Sequence, residues 1–181
     1  NWARYWRDVI MYRRSDERAL LSVRSLESYL TDAFNSNTSW DKLTTEFITA
    51  RGDVRENGRT ALIMAQMGRP EETAAEVSRI FLGIQIQCAQ CHDHPTDRWT
   101  REQFHELVAF FPRVAVRPKR DDGMFNFEVV ASDSPIENRS RNTNNRYRGT
   151  PEHRMPDLEN PEARGETMKP VFFLTGDEVP L

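Results

Sequence analysis

Apolar residues recur at helical spacing from the start of the chain. Trp2, Tyr5, Trp6, Val9 and Ile10 fall at i, i+3, i+4, i+7 and i+8, which predicts a helix with one wide apolar stripe. Ser15, Asp16 and Glu17 read as the N-cap and acidic first turn of a second helix of about 18 residues. Leu20, Val23, Tyr29, Leu30, Ala33 and Phe34 form its apolar side, and the Asn35-Ser36-Asn37-Thr38 cluster ends it. Ser39 caps a short third helix with Leu43, Phe47 and Ile48 inward. Residues 51–59 are polar and predict a loop, whose Arg51-Gly52-Asp53 triplet is short enough to arise by chance. Thr60 to Gln66 predicts a brief helical piece stopped at Gly68, and Pro70 with Glu71 and Glu72 suits the first turn of the next helix. Ala74, Val77, Ile80, Phe81, Ile84 and Cys88 continue one face of that helix, so the spacing delivers Cys88 to the core side. Gly83 is either a weak point of that helix or a place of close backbone packing.

Further on, Thr100 and Gln103 have the spacing of a capping box for a helix that turns Phe104, Leu107, Val108 and Phe111 inward. Val114-Ala115-Val116 and Phe125 to Val129 alternate like two short strands around the turn signal Asp121-Asp122-Gly123. Residues 131–170 are rich in Arg, Asn and Pro, too polar for a core of their own, and predict a long arm or loop. Val171-Phe172-Phe173-Leu174 is then a last strand or an apolar anchor for the arm. The expected architecture is mainly α: residues 1–130 a helical domain with a few short strands, and residues 131–181 an extended polar arm packed on the same domain.

Composition narrows the function. Twenty-eight acidic against 25 basic residues give a net charge of −3, with no basic stripe of the kind nucleic acid demands. No apolar run approaches the roughly 18 residues of a transmembrane helix. The pattern begins inside a helix, which reads as a fragment or processed product whose targeting segment is not in this sequence.

There are only two cysteines. Cys88 and Cys91 are separated by two residues, and His92 follows directly. Cys-x-x-Cys-His is the spacing of c-type haem attachment: two thiols for two thioethers and an imidazole for the iron. A zinc site would use the same pair with His92 or His94, but zinc motifs usually carry a second ligand pair, and only His105 and His153 remain. A thioredoxin-like dithiol prefers a strand-to-helix turn, whereas the approach here reads as helical. A pair without a cofactor is the remaining alternative.

The stretch Phe81 to Pro95, with Asp97-Arg98-Trp99 and Phe104 to Phe111, resembles the planctomycete-type cytochrome-c-like domain family, catalogued as a domain of unknown function. Trp2 to Val9 is similar to its N-terminal helix and Pro170 to Gly176 to its C-terminal edge. The resemblance implies a mostly helical fold in exported, often multidomain proteins, with haem binding proposed from the same pentapeptide. It implies no established reaction.

A haem held by His92 leaves its distal side open to several residues. Met155, followed by Pro156 in a polar arm, is the first candidate for a distal thioether, with His153 and His105 next. His94 is too near His92 to reach round the same haem and suits a propionate, a backbone group, water, or simply the turn before Pro95. Trp99 and the aromatics at 104, 110 and 111 would line a haem pocket or the plain core. Arg98 and Arg101 could fork onto propionates or sit at a solvated helix start. The expectation is therefore an extracytoplasmic monohaem electron-transfer domain with one covalent haem c, served by a redox partner or the subunits of a larger assembly, and more an electron carrier than a catalyst. Its rivals are a zinc-stabilised or metal-free interaction module and a haem enzyme with an open distal site.

Overall fold

The computed structural model describes residues 1–121, 124–132, 150 and 152–179. Six α-helices lie among the described residues, together with strands enough to make the fold mixed α/β rather than mainly α. Helix α1 (Trp2–Met11) forms where the stripe predicts it, but only its C-terminal end is buried. Ile10 reaches the core, whereas Trp2 and Tyr5 are 68% and 58% exposed. The expected second helix is divided. Asp16, not Ser15, accepts the Arg18 N–H, and a 3-10 turn over Glu17–Ser22 leads into α2 (Val23–Asn35). Ser15 instead donates both its N–H and its hydroxyl to the Ala65 carbonyl, which ties the chain entry to α4 (Ala61–Ala65). Between them, α3 (Trp40–Ile48) buries Leu43 and Phe47.

The polar stretch 51–59 is not a free loop. Gly52–Asp53 forms β1, and β2 (Val114–Asp121) and β3 (Met124–Ala131) form the predicted hairpin; the three make an antiparallel sheet in the order β1-β3-β2. The hairpin's turn residues 122–123 lie outside the described residues. Asp53 explains why a charged triplet is held so firmly. Its carboxylate accepts from Asn126 Nδ2 at 2.7 Å, Arg55 N at 2.8 Å and Lys119 Nζ at 3.1 Å. Burial opposes ionisation, yet these partners hold the group below its ordinary range. Val54, next along, is fully buried, so Arg51-Gly52-Asp53 serves the sheet.

Helix α5 (Pro70–Val77) and α6 (Arg101–Val108) pack together over the core built by Leu26, Leu30, Leu62, Met64, Phe104 and Phe127. The predicted capping box is complete: Thr100 Oγ1 accepts the Gln103 N–H at 3.2 Å and Gln103 Oε1 the Thr100 N–H at 3.0 Å. Gly58 is required for space. A Cβ there would lie 2.2 Å from the Ser25 carbonyl oxygen on α2. Gly58→Ala is expected to force α2 from the 3-10 turn at Gly58–Thr60 and to cost about 1–3 kcal/mol in urea unfolding.

Candidate functional site

The approach to the cysteine pair is built from two irregular helical turns. After α5 the backbone widens into a π turn over Ser78–Leu82, and Gly83 ends it in the left-handed region at φ 71°. A Cβ at Gly83 would meet nothing within 4 Å, so glycine serves the conformation there and not close packing. Ser78 closes the break, its hydroxyl donating to the Ile84 carbonyl at 2.9 Å and its own carbonyl accepting the Ile84 N–H at 3.2 Å. π turns inside helices are frequent next to functional sites.

Ile86–Gln90 then form a separate 3-10 turn, which corrects the expectation that a continuous helical face carries Cys88 to the core. A 3-10 helix has three residues per turn, so positions i and i+3 share a face. Ile86 and Ala89 take the inner face and are fully buried, while Cys88 and Cys91 are both free and exposed. His92 is exposed too. Its Nδ1 lies 2.7 Å from the Asp93 carbonyl oxygen, which can only accept. In the neutral ring this contact puts the proton on Nδ1 and the lone pair on Nε2, the arrangement that prepares an imidazole for a metal.

The loop that follows ties the motif to α6. Asp93 Oδ1 accepts the Arg101 N–H at 2.9 Å, placing a carboxylate at the positive end of α6. His94 closes a small turn: its N–H donates to the Trp99 carbonyl at 2.8 Å, and its Nδ1 accepts the Thr96 N–H at 3.3 Å. Trp99 is buried, donates Nε1–H to Asp97 Oδ2 at 2.9 Å, and has the Arg98 guanidinium over its ring at 4.7 Å.

The C-terminal arm reaches this loop at three points. Strands β4 (His153–Met155) and β5 (Glu166–Met168) form one hairpin, and β6 (Val171–Phe172) and β7 (Asp177–Glu178) another. Phe173 is buried edge-on to Trp99 at 5.1 Å, so the apolar anchor read in residues 171–174 rests mainly on this ring. The Arg101 guanidinium donates to the Pro156 carbonyl, bringing the Met155-Pro156 pair to the residue that also holds Asp93. Met155 itself is half-buried.

The third point is a buried histidine pair, His105 on α6 and His153 on β4, which the sequence offered only as two separate ligand candidates. They are 1% and 6% exposed, with rings stacked at 5.1 Å. His105 Nε2 lies 3.1 Å from the Gln90 carbonyl oxygen, inside the motif, and so must carry the proton. His105 Nδ1 is then the acceptor for His153 Nε2–H at 2.8 Å. His153 Nδ1 faces Glu71 Oε1 at 3.8 Å. Burial pushes both imidazoles down to about 4; the Arg101 charge adds to the effect at His105 and its neighbour does so at His153. Because the unfolded chain binds these protons near the ordinary 6.5, the stability they contribute is complete above that value and is lost as pH falls from 6.5 toward 4. Urea unfolding at pH 7 and pH 4.5 is expected to show a loss of about 5 kcal/mol from the pair.

Among the described residues no three His, Cys, Asp or Glu side chains gather into a metal cage, and no helix is long and apolar enough to cross a membrane. The fold and this exposed Cys-x-x-Cys-His turn define a mixed α/β domain built around one presented motif. The chain belongs to the PSCyt2 family, described as a protein of unknown function (DUF1549), whose model matches residues 1–116. The match includes the motif and α6; the likeness read in Pro170 to Gly176 falls outside it. No curated protein and no solved structure matches the chain.

Proposed function

We propose that this chain is a monohaem c-type cytochrome domain, working outside the cytoplasm as an electron-transfer module of a larger protein or assembly. The observation that carries the reading is the joint presentation of Cys88, Cys91 and His92: two free, exposed thiols, one on a 3-10 turn and one at its C-cap, and an exposed imidazole whose Nδ1 is engaged by Asp93 O at 2.7 Å. Cys88 and Cys91 would hold the haem by thioethers and His92 by Nε2. When bound, the haem supplies reversible one-electron chemistry. Bacterial attachment of haem c outside the cytoplasm is the basis for the proposed location.

The chain's own residues support the fit. A protein zinc site needs about four side-chain donors, and no such set gathers among the described residues, whereas haem iron needs only one or two. Arg101 stands beside the motif, its N–H on Asp93, and its guanidinium is the kind of fork that suits an anionic group such as a propionate. Both ring nitrogens of His105 are occupied, by His153 and by Gln90, which disfavours it as a distal ligand; His153 keeps Nδ1, 3.8 Å from Glu71, and Met155 stays the first candidate on its thioether chemistry. Met155→Ala is expected to convert a low-spin ferric spectrum to high-spin, and an unchanged spectrum would remove that assignment.

The reading is tested by producing the chain in a host that attaches haem c. One haem per chain, a Soret band and retention of the pigment through acid-acetone extraction are expected. Stoichiometric zinc without iron, or no pigment at all, would overturn it.

A further inference from the structure

The histidine pair lies behind the motif, not in front of it, and this placement gives it a role separate from iron ligation. Gln90 is the residue between Ala89, which is buried, and Cys91, which is exposed. Its carbonyl oxygen accepts from His105 Nε2, and His105 is held in that tautomer because its other nitrogen accepts from His153. His153 belongs to the arm, more than forty residues further along the chain. The arm thus reaches the backbone of the cysteine turn through a two-ring relay while leaving both thiols open.

We propose that His153 and His105 are positioning residues for the Cys-x-x-Cys-His turn: docking of the arm fixes the Gln90 carbonyl and with it the relative placement of Cys88 and Cys91. Two further contacts act in the same direction, Pro156 on Arg101 behind Asp93 and Phe173 on Trp99. Apolar residues at positions 105 and 153 would be the ordinary filling of a core. Such a core could not hold a carbonyl, and a buried polar pair is kept only at the cost of complete hydrogen bonding. This positioning acts on the turn itself, whichever cofactor the turn takes.

The test uses the full chain with reduced cysteines, so that it is independent of haem. The equilibrium between the Cys88–Cys91 dithiol and its disulfide is measured against a glutathione buffer. His153→Leu is expected to shift that constant by about tenfold, the worth of one ordinary hydrogen bond. His153→Gln, whose amide can still donate to His105 Nδ1, is expected to restore it. Equal constants in wild type and both variants would overturn the proposal. Should the leucine variant fail to fold, nitrogen-15 NMR of the wild type decides: the proton on His105 Nε2 supports the relay, and the proton on Nδ1 overturns it.

Discussion

Replacing Cys88 and Cys91 together by alanine is expected to abolish acid-acetone-resistant pigment while leaving the folded domain almost as stable as before. Both cysteines are free and exposed on the outer face of their turn, and the inner face is carried by Ile86 and Ala89. Removing two exposed sulfurs opens no core cavity, so the stability change should stay within about 0.5 kcal/mol. The single variants separate the two bonds: each keeps one thioether and therefore keeps pigment through extraction, with a shifted absorption band. His92→Ala completes the set. It leaves both attachment points, so pigment remains covalent, but the iron loses its protein ligand on that side and the spectrum changes. If the double alanine variant kept its pigment through extraction, the attachment reading of this turn would fall. If it lost both pigment and fold, the outward placement of the cysteines would be wrong.

That outward placement shows where sequence reasoning stops. The spacing from Ala74 to Cys88 is helical at every step, and a pattern of 3.6 residues carries all of it to the core. What the pattern does not contain is the π turn and the left-handed Gly83, which reset the phase before Ile86. From there a period of three governs, and the same residues divide into a buried and an exposed set. The capping box, the Pro70 start of α5 and the β2–β3 hairpin were legible because each rests on local chemistry that neighbouring residues complete. The role of β1 was not, since Gly52 and Asp53 become a strand only through pairing with Val129 and Glu128, over seventy residues away. His105 and His153 were visible as isolated histidines, and nothing local predicts that they bond to each other. The π turn is also the place where a buried charge fastens the approach to the motif, which makes that charge the strongest handle on its stability.

Glu76→Ala is expected to be the most destabilising single substitution outside the apolar core, by about 3–5 kcal/mol, because it leaves the guanidinium of a largely buried arginine without its counter-ion. The Glu76 side chain is 3% exposed and receives Arg79 Nη2 at 2.6 Å and Arg79 Nε at 3.0 Å. Arg13 stands at 3.8 Å from Oε1, the oxygen that accepts Arg79 Nε, and Arg79 also donates to the Val9 carbonyl at 3.0 Å. The pair therefore joins α5 and the π turn to α1, directly ahead of the motif. For a chain of this size the loss corresponds to a fall of roughly 10 °C in Tm. Arg79→Ala should cost a similar amount, since it strands the Glu76 carboxylate. The double variant Glu76→Leu with Arg79→Leu is expected to lose less than either single alanine variant, because matched apolar residues replace a buried pair without desolvating a lone charge. Urea unfolding of the three variants checks this, and additive losses in the double variant would show that the pair is not acting as a coupled, desolvated unit.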